Sequence, residues 1–279
     1  MAYEIKTWDV EYRRDPIRNL LARIYQPQGE GPFPALVDVH GGAWNGQDRT
    51  ANQIVDQGLA ESGILVAAID VLWASEKPYP GSVQDVNLGV RWLKAHAAEW
   101  NGDPATVGIF GSSSGGHVAE LIGMRPHDPR YSAHPLPEAP NVDATVAYVV
   151  ARSPISDPYA RYLQANRMGR EFLIANSKTY FAPWDAIWEA NPQAILERGE
   201  AVTLPPLLVM QGGLDDNVLP EVQRRFADTY RAAGGDVHLE VFDDSVHRWV
   251  IERSPATQRA VDMARDFIAR QLGARQPVG

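Results

Sequence analysis

The chain of 279 residues contains no cysteine. Disulfides, thiolate nucleophiles and zinc-thiolate centres are therefore excluded, and a reducing, cytoplasmic setting is expected. There is also no apolar run long enough to cross a bilayer. The opening segment MAYEIKTWDVEYRRD has no basic stretch followed by an apolar one, the mark of a secretory leader, so a soluble, unexported protein is expected. Clustered lysine and arginine are missing too. With 26 basic residues against 35 acidic ones and a formal charge of -9, nucleic acid is not expected as a partner, because phosphate neutralisation needs a basic patch. The same balance favours neutral or cationic small molecules. Internal repeats and low-complexity tracts are absent. What remains, 44% hydrophobic and 22% charged residues, has the proportions of a folded globular domain.

Two alternating segments at 7–12 and 20–25, joined by a polar connection, read as a hairpin. After the Pro- and Gly-rich stretch 26–34 the rhythm changes. Short apolar strands at 35–40, 64–70, 106–110, 144–150, 207–211 and 237–242 alternate with amphipathic helices at 50–62, 83–100, 114–124, 220–233 and 255–272. This alternation predicts the α/β class: one domain over 1–279, with a mostly parallel twisted sheet of about eight strands and helices on both faces. Between 153 and 203 the strand rhythm breaks and aromatic residues gather, including Tyr159, Tyr162, Phe172, Tyr180, Phe181, Trp184 and Trp188. A helical insertion is expected there, either a cap over a pocket or an ordinary pair of outer helices. Residues 274–279 read as a frayed tail.

The run Gly111-Ser112-Ser113-Ser114-Gly115 lies between the predicted strand 106–110 and the predicted helix 114–124. A small-residue run can be a flexible loop, but strand before and helix after is the context of a nucleophile elbow, with Ser113 at its apex. A side chain two residues either side of that serine would collide with the neighbouring strand or the first helical turn, so glycines flank it. A serine hydroxyl needs a base, and the base needs an orienting group. His247 follows the last predicted strand in a short polar loop, at the carboxyl edge where sites of open parallel sheets gather. His96 and His238 lie inside a helix and a strand pattern and read as structural; His127 and His134 fall in a Pro-rich loop. Asp215 and Asp216 both follow the strand 207–211, and Asp215 is preferred, with Asp216 facing solvent or capping the helix near Pro220. The run His40-Gly41-Gly42-Ala43-Trp44 follows the strand residues 35–39. It reads either as a plain strand-exit turn or as a loop whose amides could stabilise developing oxygen charge together with the N–H of Ser114.

Together these motifs resemble the α/β-hydrolase superfamily, in its esterase and lipase branch with an HGG-type oxyanion motif, which includes hormone-sensitive-lipase-like and feruloyl-esterase-like members. The resemblance covers nearly the whole chain. It implies Ser113 as nucleophile, His247 as base, Asp215 as orienter, and an oxyanion hole from Gly42, Ala43 and Ser114. The segment PPLLVMQGGLDDNV is similar to the acid-residue region of prolyl-oligopeptidase-type peptidases, which supports the first aspartate. Two departures stand out: Ala43 occupies the place of a third glycine, and Val71-Leu72-Trp73-Ala74-Ser75-Glu76 replaces a YRLAPE-like segment.

The expected activity is hydrolysis of small apolar or aromatic carboxylic esters through an acyl-serine intermediate, with no metal and no cofactor. Trp44, Trp73, Trp184, Trp188 and Trp249 are candidates to line the substrate cleft. Amide hydrolysis, as in an arylformamidase or small peptidase, uses the same groups and is the nearest alternative. A non-catalytic binder of hydrophobic ligands is the more distant one. The C-terminal helix and last strand could support a homodimer.

Overall fold

In the computed structural model, which describes residues 2–273, the strands β1 (Ile5–Arg13) and β2 (Leu20–Pro27) form an antiparallel hairpin. Six further strands follow: β3 (Ala35–Val39), β4 (Leu65–Ile69), β5 (Gly108–Ser112), β6 (Val149–Arg152), β7 (Leu207–Gly212) and β8 (Val237–Phe242). They build one eight-stranded sheet in the order β1-β2-β4-β3-β5-β6-β7-β8. All pairings from β4 to β8 are parallel, whereas β2 meets both β1 and β4 antiparallel. The frayed tail expected at 274–279 lies outside the described residues.

Strands β3 to β7 are buried along their whole length because helices cover both faces. Successive side chains point to opposite faces, so Val37, Ile109 and Val209 pack against α2 (Gly81–His96), α3 (Ser114–Met124) and α8 (Pro220–Ala232). Leu36, Phe110 and Leu208 pack on the other side against α1 (Gln53–Glu61) and α9 (Pro255–Gly273). Each such side chain contributes roughly 1.5–3 kcal/mol by leaving water. No helix among the described residues is long and apolar enough to cross a membrane.

The expected elements are present with shifted ends. The helix expected at 83–100 is α2 extended by a 3-10 turn, Ala97–Trp100. Strand β6 begins at Val149 rather than at 144. Its neighbour β7 is entered through Pro205 and Pro206, which have no N–H, and the ladder opens with Val149 N donating to the Pro206 carbonyl at 2.9 Å. Between β6 and β7 lie four helices: α4 (Pro158–Arg167), α5 (Glu171–Tyr180), α6 (Ala186–Glu189) and α7 (Pro192–Glu197). Asp157-Pro158 and Asn191-Pro192 start α4 and α7, the Asp157 and Asn191 side chains accepting from the N–H groups of Ala160 and Ala194 at 3.0 Å.

Chain order and sheet order part company at β3. The chain crosses from β3 to β4 on one side, then returns past β3 to β5 on the other. That reversal opens a crevice at the carboxyl ends of β3 and β5, the place where open α/β sheets bind ligands. Val39 is in register with Gly111, so the loop after β3 and the turn after β5 leave the sheet at the same level.

Candidate active site

Ser113 stands at the junction of β5 and α3 with φ 55° and ψ -115°. Such a conformation costs a non-glycine residue on the order of 1–3 kcal/mol and persists because its surroundings impose it. Ser113 N donates to the Arg152 carbonyl at 2.9 Å, and the Ser113 carbonyl accepts from His117 N at 3.1 Å. A Cβ on Gly111 would lie 2.4 Å from the Gly115 carbonyl oxygen, and one on Gly115 would lie 2.1 Å from that of Val39. Both flanking glycines are therefore demanded by main-chain contact, as the spacing predicts.

The structure brings Ser113, His247 and Asp215 into one hydrogen-bonded line. His247 Nε2 lies 2.9 Å from Ser113 Oγ, and His247 Nδ1 lies 2.7 Å from Asp215 Oδ2. Asp215 Oδ1 accepts from the amides of Asn217 and Val218 at 3.0 and 2.9 Å, and Oδ2 accepts from Gln211 Nε2 at 3.1 Å. Burial alone would raise this carboxyl, but the bond to His247, its charge and the two amides outweigh that, and Asp215 is held below its ordinary value. A fixed carboxylate makes Nδ1 the donor and leaves Nε2 free to accept the serine proton. Burial pushes the His247 imidazole below its ordinary value; Asp215 pushes it back, while Arg152 and Arg161 push it further down. The neutral imidazole is thus the resting form at pH 7. Asp216 is exposed and does not cap α8, which starts from Leu219; it pairs instead with Arg170 of the helical insertion.

Gly42, Ala43 and Trp44 take consecutive positive φ angles of 104°, 52° and 61°. Only glycine fits at 42, because a Cβ there would lie 2.2 Å from the Gly46 carbonyl oxygen. Ala43 adopts the left-handed conformation although it replaces a glycine. His40 Nδ1 lies 2.8 Å from the Gly41 carbonyl oxygen and holds that peptide. The N–H groups of Gly42, Ala43 and Ser114 donate to no protein acceptor among the described residues.

None of the five tryptophans expected in the cleft lines it. Each has found an apolar or hydrogen-bonding partner elsewhere. Trp44 is buried, stacked on Tyr180 at 4.8 Å between centroids, with its indole N–H donating to His117 Nδ1 at 3.1 Å. Trp73 donates to the Gln47 carbonyl at 2.9 Å and grips the same loop from outside. Trp184 and Trp188 pack on Tyr162 and Tyr159 within the insertion, and Trp249 stacks on Phe242. The cleft, of about 280 Å³, is walled by Ser113, His247, the Gly41 to Ala43 turn, the apolar side chains of Phe172, Leu173 and Ile251, and Arg152, Arg161 and Arg248.

Two groups of residues escaped the sequence reading. His117 lies one helical turn after Ser113; its Nε2 donates to the Ala190 carbonyl at 2.6 Å, and burial lowers its pKa to about 4, which keeps it neutral. It ties the loop after β3 to the elbow helix and the insertion. The i, i+4 spacing from Ser113 was its one signal. Arg152 ends β6 and Arg161 sits in α4. The overall charge of -9 concealed them, and where it suggested neutral or cationic ligands the cleft presents arginine.

Residues 23–229 match the family model described as BD-FAE. The probable carboxylic ester hydrolase LipM of Mycobacterium tuberculosis is 28% identical over 207 residues, 72% of this chain and 46% of its own length. Carboxylic ester hydrolase LipN of the same organism is 28% identical over 241 residues, 83% of this chain. This chain spans 46% of the first relative's length and 61% of the second's. Among solved structures, EstE1, a thermostable carboxylesterase cloned from a metagenomic library, is similar with a TM-score of 0.78 and 23% identity, over 99% of this chain and 92% of that one. Esterase B from Lactobacillus Rhamnosis is similar with a TM-score of 0.79 and 19% identity, over 98% and 87%. These likenesses concern the fold. The breadth of the family match settles the rest: the chain belongs to the BD-FAE family, in the esterase and lipase branch of the α/β-hydrolase superfamily.

Proposed function

We propose that this protein hydrolyses carboxylic esters of small molecules through an acyl-serine intermediate, with Ser113 as nucleophile, His247 as base and then acid, and Asp215 as its orienting group. One observation carries the proposal: the line Asp215 Oδ2, His247 Nδ1, His247 Nε2, Ser113 Oγ, with steps of 2.7 and 2.9 Å, opens onto a cleft at the carboxyl edge of the sheet. The relatives named as ester hydrolases add support.

In the first half-reaction Ser113 Oγ bonds to the ester carbonyl carbon while its proton passes to His247 Nε2. Negative charge grows on the carbonyl oxygen, where the N–H groups of Gly42, Ala43 and Ser114 act as donors, each worth roughly 10²- to 10³-fold in rate. As the tetrahedral species collapses, the carbon–alkoxy oxygen bond breaks and the alcohol leaves with the proton from Nε2. Water then gives a proton to Nε2 and attacks the acyl carbon; collapse returns that proton to Ser113 Oγ and frees the acid. The resulting imidazolium is stabilised by Asp215, whose carboxyl stays ionised.

The segment 153–203 serves as a cap, with Phe172 and Leu173 of α5 forming its inner wall, and the cleft volume suits a short acyl or single-ring ester. The lack of cysteine is compatible with action in the cytoplasm. A chromogenic short-chain ester tests the activity. Ser113→Ala should lower kcat by at least 10³-fold with an unchanged melting profile, and an organophosphate should label Ser113 in the unmodified protein. Undiminished turnover in the variant would overturn the proposal.

A further inference from the structure

Three arginines and no carboxylate line the cleft above Ser113. Arg152 and Arg161 are only 4% and 3% exposed. Every protein acceptor that these two side chains reach is neutral. Arg161 uses Nε on Asn217 Oδ1 at 3.1 Å and Nη1 on the Leu173 carbonyl at 3.3 Å and Ser177 Oγ at 3.0 Å, and its Nη2 has no partner. Arg152 donates through Nη1 to the His247 carbonyl, and its Nε has no partner. The face of Trp44, 5.5 Å from the Arg161 Cζ, offsets part of the charge but offers no directional acceptor.

A buried charge without a counter-ion is strongly unfavourable, and a guanidinium does not escape by losing its proton. Burial lowers both groups to about 10, which leaves them cationic at neutral pH. The charge of Asp215 acts on both and that of Asp38 on Arg152, but the oxygens of Asp215 are already occupied by His247, Gln211 and two amides, and those of Asp38 by Asn52. Two buried cations with no charged hydrogen-bond partner, in the wall of the cleft that holds the proposed nucleophile, are matched by an anion that enters from outside. Arg248, exposed at the same cleft, adds to the local positive field. On a chain of net charge -9 such a field concentrates an anion that the rest of the surface would repel.

We propose that the substrate is an ester carrying a free carboxylate, read by Arg161 with Arg152 and Arg248 reinforcing it, while Phe172, Leu173 and Ile251 contact its apolar body. The proposal rests on the ester-hydrolase reading above and specifies its substrate class. Two chemistries satisfy it: a half-ester of a dicarboxylic acid, with the charge on the acyl side, and an acyl ester of a phenolic acid, with the charge on the leaving group.

Matched pairs distinguish them. One pair is the 4-nitrophenyl half-ester of succinate against 4-nitrophenyl pentanoate; the other is the acetyl ester of 4-hydroxybenzoate against that of 4-methylphenol. In at least one pair the charged member should be favoured tenfold or more in kcat/KM, and Arg161→Gln should reduce that ratio at least tenfold. A ratio within one protein cancels any general loss of activity. Arg248→Gln, at an exposed position, should reduce it about threefold and serves if Arg161→Gln fails to fold. Preference for the neutral member in both pairs, or a ratio unmoved by either substitution, overturns the proposal. If none of the four esters is hydrolysed, the ester-hydrolase reading fails instead. Calorimetric titration with succinate then decides the anion site: binding that weakens tenfold in Arg161→Gln supports it, and no binding overturns it.

Discussion

The loop after β7 and the interface between β3 and α1 both bury aspartate, with opposite results. Asp215 accepts bonds from two amides, one carboxamide and one imidazole, and its carboxyl is held below the ordinary value although burial opposes this. Asp56 is fully buried and neither of its carboxyl oxygens has a partner. Burial pushes it well up, the nearby Asp38 adds to that, and Asp38 is itself raised by burial although Asn52 donates to both its oxygens. At similar depth, the number of donors decides the sign of the shift. At the proposed active site the fold supplies donors and obtains a fixed charge; beneath the sheet it supplies few and retains a proton.

The largest test of this contrast is Asp215→Asn, which keeps shape but removes the charge. Turnover of a short-chain ester should fall about 10³- to 10⁴-fold, whereas Asp56→Asn should leave it within twofold. Loss of less than tenfold in the first variant would mean that the Asp215 charge does not act through His247. Next, Asp56→Leu should stabilise the fold by about 1–3 kcal/mol at pH 7, read from urea unfolding, because an unsatisfied polar group is replaced by an apolar one of similar size. The gain should shrink toward pH 4. Folded Asp38 and Asp56 hold protons that the unfolded chain releases above about pH 4, so their contribution to stability falls as pH rises. Asp215 tilts the other way: its lowered pKa gives stability that is present above the ordinary value of 3.8 and lost as pH falls below it. The smallest effect is kinetic. The acid limb of kcat/KM for a neutral ester should have its midpoint below 6.5, since burial and two arginines lower His247 more than Asp215 raises it. A midpoint clearly above 6.5 would reverse that balance.

The strand and helix rhythm, the elbow and the order Ser113, Asp215, His247 were legible in the chain because each rests on local pattern: periodicity, a glycine spacing, a polar loop after an apolar run. The tryptophans were not. Their composition suggested cleft walls, but Trp44 is tied to His117, 73 residues away, and Trp73 to the Gln47 carbonyl, 26 residues away. An aromatic residue with a polar N–H settles wherever both needs are met, and no local pattern reveals where. Arg161 escaped notice for the same reason, since its partner Asn217 is 56 residues distant.

Local rules of strand, turn and helix, written directly into residue order, sufficed to specify the class of fold and to single out Ser113, His247 and Asp215 as the proposed relay. The charge of the cleft, the partners of the tryptophans and the contrast between Asp215 and Asp56 came into being only on folding. They depend on which distant donors and cations share one low-dielectric space, and burial there lets a difference of a few ångströms decide whether a carboxyl is charged or neutral.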